Sequence, residues 1–124
     1  MNEQAALIAE GAAGLIREKG LAKGDWSDAD GGLCLAGAVR AVADAMCPFP
    51  SGWQAAYWRV LKAAHSLARE QMLADGRNPV VMAAYSGLCR NAAVFYNDLA
   101  ETSQEDVELL LKKTAAALRE TDAA

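Results

Sequence analysis

The sequence predicts an all-α fold, a compact single-domain bundle of five helices gathered around a buried central helix at about residues 33–47. Three observations predict it. Alanine supplies 28 of the 124 residues, and alanine is both the best helix former and small enough to let helices approach closely. Apolar residues recur at helical spacing in five segments. Runs of β-branched and aromatic residues with a period of two, the mark of half-buried strands, are absent from the sequence.

The first helix runs from about Glu3 to Lys19, with Leu7, Ile8, Ala12, Leu15 and Ile16 forming one apolar stripe. Gly20 is a C-terminal stop. Gly11 and Gly14 either weaken this helix or permit another to cross it closely. A polar loop, residues 23–32, leads to the second helix, about Leu33 to Cys47. That helix is apolar nearly all round, which is why it is placed at the centre. Pro48 and Pro50 end it. The third opens on a capping box, Ser51 with Gln54, and closes at Gly76. Tyr57, Leu61, Ala64, Ala68 and Met72 form its inner face, widened by Val60 and Leu67. The fourth begins at Asn78-Pro79 and reaches about Tyr96, weakened at Ser86-Gly87. The fifth begins with a second capping box, Thr102 with Glu105. It faces inward through Val107, Leu110, Leu111, Thr114, Ala117 and Leu118. Lys112, Lys113 and Arg119 suit its carbonyl-rich end, and residues 121–124 form a frayed tail.

The chain is long enough for one domain, residues 1–124, and not for two cores. Hydrophobic residues make up 53% and charged residues 23%, which argues against disorder. The net charge of -4 and the pI near 4.9 oppose direct binding to nucleic acid, where cations neutralise phosphates. No apolar run reaches the ~20 residues that span a bilayer, so no membrane partner is expected. A basic start followed by an apolar run, the export signature, is also missing from the sequence. Three cysteines, Cys34, Cys47 and Cys89, are odd in number and widely spaced, which suits reduced thiols in a cytoplasm.

Several constellations invite a chemical reading. The acidic loop around Asp28, Asp30 and Gly31 suggests a calcium loop, but the register puts Trp26 at the first ligand position and Gly37 at the twelfth, and neither can serve. Gly31-Gly32 precedes a helix without the Lys-Ser/Thr of a phosphate loop. Cys34, Cys47, Cys89 and His65 have the ligand types of a zinc site but no closely spaced pair. Cys34, in the first turn of the second helix, could act as a nucleophile with His65 as base and Asn97 or Asp98 orienting it. The competing reading makes Cys34 a small buried apolar residue. Trp53 and Trp58 cannot share one helical face, so one of them is half exposed. Beside them lie Arg59, Lys62 and Arg69, and an exposed aromatic flanked by cations is a typical binding anchor. The acids Asp98, Glu101, Glu105, Asp106 and Glu108 are explained by a helix start, with docking to a basic partner or nucleic-acid mimicry as the alternatives.

The order Trp26, Asp30-Gly31, Cys34, Gly37-Ala38, then Asn97-Asp98, Thr102 and Glu105-Asp106-Val107 resembles an uncharacterised family of small helical proteins of actinobacteria and their phages. The resemblance covers both ends of the chain and leaves out residues 48–90. Where that family usually carries Trp before Asn-Asp, this chain has Tyr96, and the spacing before Cys34 also departs. The resemblance implies a helical fold and a phage or actinobacterial setting, and no reaction. Cys34, Asn97 and Asp98 then form either a structural staple, with Asn97 and Asp98 accepting N–H groups at the start of the Cys34 helix, or a binding pocket at the same place.

The expected function is a small intracellular protein-interaction module that binds a host protein, with no catalysis, cofactor or metal. Its contact surface would be Trp53, Trp58, Arg59, Lys62 and Arg69, or else the acidic opening of the fifth helix. A homodimer is compatible with the pattern. The rival readings are a thiol-dependent hydrolase or transferase using Cys34 and His65, and a small-ligand pocket between the second and fourth helices.

Overall fold

The computed structural model describes residues 2–23, 29, 31–47, 52–77 and 91–123. Five α-helices occur among the described residues: α1 (Asn2–Lys19), α2 (Leu35–Met46), α3 (Gly52–Ala74), α4 (Ala92–Asp98) and α5 (Gln104–Ala123). No strand forms among the described residues. One isolated parallel bridge, Leu21 to Leu33, closes the base of the loop between α1 and α2. There Ala22 N–H donates to the Leu33 carbonyl at 3.0 Å and Leu33 N–H to the Gly20 carbonyl at 2.9 Å. The molecule is the all-α bundle that the alanine content and helical spacing predict.

Helix α1 buries seven residues, Ala5, Ala6, Ile8, Ala9, Ala12, Ala13 and Ile16, because three neighbours pack on it. Its contact with α5 is the most extensive in the bundle, and α2 and α3 cover more of it. Five of the seven are alanine, so those neighbours come close from several directions. Leu7 departs from the expected stripe and is 44% exposed. It shares the solvent side of the helix with Glu3, Glu10 and Gly14, at the i−4, i+3 and i+7 positions. The two internal glycines also separate. A Cβ on Gly11 would meet the Val42 Cγ1 methyl of α2 at 2.9 Å, whereas one on Gly14 would meet nothing within 4 Å. Gly11 therefore serves a close crossing of α1 and α2, and Gly14 serves none. Gly20, at φ 93°, ends the helix in the left-handed region with its N–H on the Ile16 carbonyl at 2.7 Å.

Nearly all-round burial of α2 holds from Leu35 to Val39 and stops there; Arg40, Ala41, Asp44, Ala45 and Met46 face solvent. The centre of the bundle is thus shared. Helix α1 touches α5, α2 and α3, and α3 touches α4, α5 and α2. Helix α3 buries the expected face, Tyr57, Val60, Leu61, Ala64, Ala68 and Met72, with Leu67 half-buried. It ends at Gly76, φ 81°, where Arg77 N–H reaches back to the Met72 carbonyl at 2.7 Å. The capping box at Ser51, the helix start at Asn78-Pro79, the weak point at Ser86-Gly87 and Cys89 lie outside the described residues.

Helix α4 is short and capped from two sides. Asn91 Oδ1 accepts from Ala93 N–H at 2.8 Å and Val94 N–H at 3.3 Å, and His65 Nδ1 of α3 accepts from Ala92 N–H at 2.9 Å. Helix α5 starts one residue later than the Thr102–Glu105 box would place it. Ser103 Oγ accepts from Asp106 N–H at 3.2 Å, and Asp106 Oδ2 accepts from Ser103 N–H at 2.9 Å. Thr102 is buried instead. At the other end the helix continues to Ala123. Arg119 is drawn away from the helix carbonyls to Glu3 and Glu10 of α1, tying the chain's two outermost helices together.

Candidate functional site

Two regions gather the residues singled out from the sequence. The first is the corner where the α1–α2 loop, the start of α2 and the end of α4 meet. Asn97, on the last turn of α4, is completely buried there. Its Oδ1 accepts from Leu35 N–H at 2.9 Å, a first-turn donor that α2 itself leaves without a partner. Its Nδ2 donates to the Ala22 carbonyl at 3.0 Å and to Asp98 Oδ1 at 3.0 Å. The side-chain amide is thus engaged on both its oxygen and its nitrogen, and it joins three segments distant in sequence. Lys23, next along the loop, donates its Nζ to the Thr102 carbonyl at 2.7 Å and to the Leu99 carbonyl. The corner is stitched through side chains onto main-chain groups, which is how a buried turn satisfies its polar atoms.

Cys34 belongs to this corner as the N-cap of α2, not as a residue of its first turn. Its backbone is extended, and its Sγ accepts from Gly37 N–H at 3.2 Å. Only 7% of Cys34 is exposed. Burial pushes the thiol above its ordinary value; the Gly37 and Ala36 N–H groups pull the other way, and the Asp98 carboxylate adds to the rise. The first-turn placement was expected to favour thiolate, but desolvation outweighs the helix end here. His65 is not beside the thiol in any hydrogen bond. Its Nδ1 is taken by Ala92 N–H, so the ring supports the start of α4. Burial also raises the Tyr57 phenol, with Cys34 adding to the rise and Arg40 opposing it.

Cys47 caps the opposite end of α2. As the two caps of a 12-residue helix, the cysteines stand about 20 Å apart. They can neither pair nor share a metal ion. Cys47 Sγ accepts from Gln4 Nε2 at 3.5 Å.

The second region is the outer face of α3. Tyr57 points into the core and stacks edge-on with both tryptophans, at 5.6 Å from Trp53 and 4.9 Å from Trp58. Arg40 of α2 lies over the Trp53 ring at 4.8 Å, so Trp53 is half-buried between helices. Trp58 is the exposed member of the pair, at 62%, the highest of any exposed large hydrophobic residue described. Lys62 and Arg69 are exposed and Arg59 is half-buried. Leu73, which the sequence reading passed over, is 55% exposed. Its signal was present: it stands fifteen residues after Trp58, close to a whole number of helical turns.

A groove of about 340 Å³ runs between α3, α4 and α5, lined by Leu67, Gln71, Tyr96, Asp106 and Leu110 among others. The pocket expected between the second helix and a fourth at about residues 78–96 involves residues outside those described; where α2 and α4 meet, the Asn97 amide bridges them. The Tyr96 phenol at the groove is raised by burial, then by Asp106 and Asp75. Among the described residues no group of acidic, histidine and cysteine side chains is arranged to hold a metal ion. No described helix is long and apolar enough to cross a membrane.

Fold and site together define a small all-α protein with a saturated polar corner and one helix carrying an exposed aromatic face. The chain belongs to the family of unknown function DUF6197, whose profile matches residues 1–117. That match includes the middle of the chain, which the resemblance read from the motifs left out. No curated protein and no solved structure matches the chain.

Proposed function

We propose that this protein is a small interaction module that docks a protein partner on the outer face of α3 and carries out no chemistry of its own. The observation that supports this reading is Trp58, 62% exposed on a folded helix whose inner face is complete without it. Leaving a tryptophan in water forgoes the stabilisation its burial would bring, and aromatic anchors of this kind concentrate binding energy. The setting we propose is the cytoplasm of an actinobacterial cell, with a phage or mobile element as the gene's source and a host protein as the partner. Catalysis through Cys34 and His65 draws no support from the corner, where the thiol is buried and raised and the imidazole is engaged elsewhere. The α3–α4–α5 groove, near the lower size limit for ligand pockets, is the feature a small-ligand reading would use.

Affinity capture from an actinobacterial lysate, with wild type and Trp58→Ala side by side, tests the proposal. The variant is expected to keep its helical circular dichroism and lose the captured protein. Capture undiminished by Trp58→Ala would move the docking surface elsewhere.

A further inference from the structure

The outer face of α3 is more than one exposed aromatic. Trp58, Lys62, Arg69 and Leu73 fall within about 60° of one another around the helix, at i, i+4, i+11 and i+15. They form a straight ridge about 22 Å long with an apolar residue at each end and two cations between. Both ends stand well out of the surface, Trp58 at 62% and Leu73 at 55%. Glu70 is the only carboxylate on α3, and it sits about 120° from Trp58 and about 60° from Leu73, at the border of the ridge. Four cations of the bundle are held, Arg119 by Glu3 and Glu10, Arg77 by Glu101, Lys23 by two carbonyls and Arg40 by the Trp53 ring, while Arg17, Lys19, Arg59, Lys112 and Lys113 form no ion pair with a described carboxylate. Neither Lys62 nor Arg69 is held by any described residue.

From this arrangement we infer that the partner presents an acidic amphipathic helix, laid along α3 with apolar side chains meeting Trp58 and Leu73 and carboxylates facing Lys62 and Arg69. The inference rests on the docking surface proposed above and adds its chemistry. A linear ridge at four-turn spacing matches the repeat of a second helix, whose own i, i+4, i+11 and i+15 positions lie in register with it. The sign of the ridge selects carboxylates. The chain's net charge of -4 repels any anion at long range, which weighs on a long phosphate polymer along its whole length, whereas a short acidic segment spans only the ridge and its two cations. A helix lying on a lipid surface carries its cations at the borders of a broad apolar face. Here they occupy the middle of a narrow one.

The test uses two synthetic helix-forming peptides. Each carries leucines fifteen residues apart on one face; one has glutamates between them and its twin has lysines. The acidic peptide is expected to bind wild type, and Lys62→Glu/Arg69→Glu to weaken it by about tenfold or more. Trp58→Ala should weaken it as well, while circular dichroism shows both variants folded. Trp58-dependent binding of the lysine twin, equal to or tighter than the acidic peptide, would overturn the acidic partner and leave the docking face standing. Insensitivity of both peptides to Trp58→Ala would overturn the docking face too. Binding of a single-stranded oligonucleotide or of phosphatidylglycerol vesicles in place of the acidic peptide would overturn the inference. So would self-association of wild type through Trp58.

Discussion

The corner around Asn97 and the outer face of α3 hold their polar groups in opposite ways. At the corner, Asn97 is sealed from water and its amide meets Leu35, Ala22 and Asp98, while Lys23 meets two more main-chain carbonyls. On α3, Lys62 and Arg69 stand in solvent between two largely exposed apolar side chains. A buried polar atom without a partner costs far more than an exposed one, so the first arrangement has to be complete and the second can stay open. The contrast separates what maintains the fold from what is available to another molecule. It also explains why the two features that first suggest chemistry, Cys34 and His65, are engaged in holding helix starts.

The contrast can be broken first at Asn97. Asn97→Ala leaves Leu35 N–H and the Ala22 carbonyl buried without the amide, and is expected to cost about 2–4 kcal/mol in urea denaturation. A loss under about 1 kcal/mol would mean that water replaces the side chain there and that the corner is not sealed.

An intermediate case is the exposed but partnered charge between α1 and α5. The Arg119 guanidinium holds the Glu3 carboxyl below its ordinary 4.5. A depressed carboxyl stabilises the fold above its ordinary value and loses that contribution as pH falls through its folded value. The stability difference between wild type and Glu3→Gln should therefore stay level above pH 4.5 and shrink below it. Because the pair is open to solvent, the difference should be far smaller than at Asn97 and should fall further with added salt. A difference that grows on acidification would reverse the assignment.

The smallest effect on folding is expected on α3 itself. Lys62→Glu/Arg69→Glu should move the unfolding free energy by no more than about 0.5 kcal/mol. A larger loss would show that the ridge belongs to the fold after all.

Helices and their inner faces were legible in the chain because each is a local repeat. The face of α3 from Tyr57 to Met72 follows from spacing alone, as does that of α5 from Val107 to Leu118, except that Ala115 is buried where the spacing puts Ala117. Where two local solutions compete, spacing cannot choose. Thr102 with Glu105 and Ser103 with Asp106 both read as capping boxes, and the second forms because Thr102 is packed away with its carbonyl on Lys23. In the same way the sequence required that Trp53 and Trp58 part company, and Arg40, reaching from α2 over the Trp53 ring, decides which of them faces water. Leu7 reads by helical spacing as part of the inner stripe of α1, yet the three helices packed on α1 cover a different side.

Helical class, the stops at Gly20 and Gly76, and the small side chains of α1 were written into the order of residues, since propensity, capping and periodicity act over a few positions at a time. The closing of Asn97 onto Ala22 and Leu35, the use of Gly11 for a crossing, and the exposure of the Trp58–Leu73 ridge depend on groups far apart along the chain. Which distant surfaces meet is settled only when the helices pack, because burial is a property of the whole bundle and of no single segment.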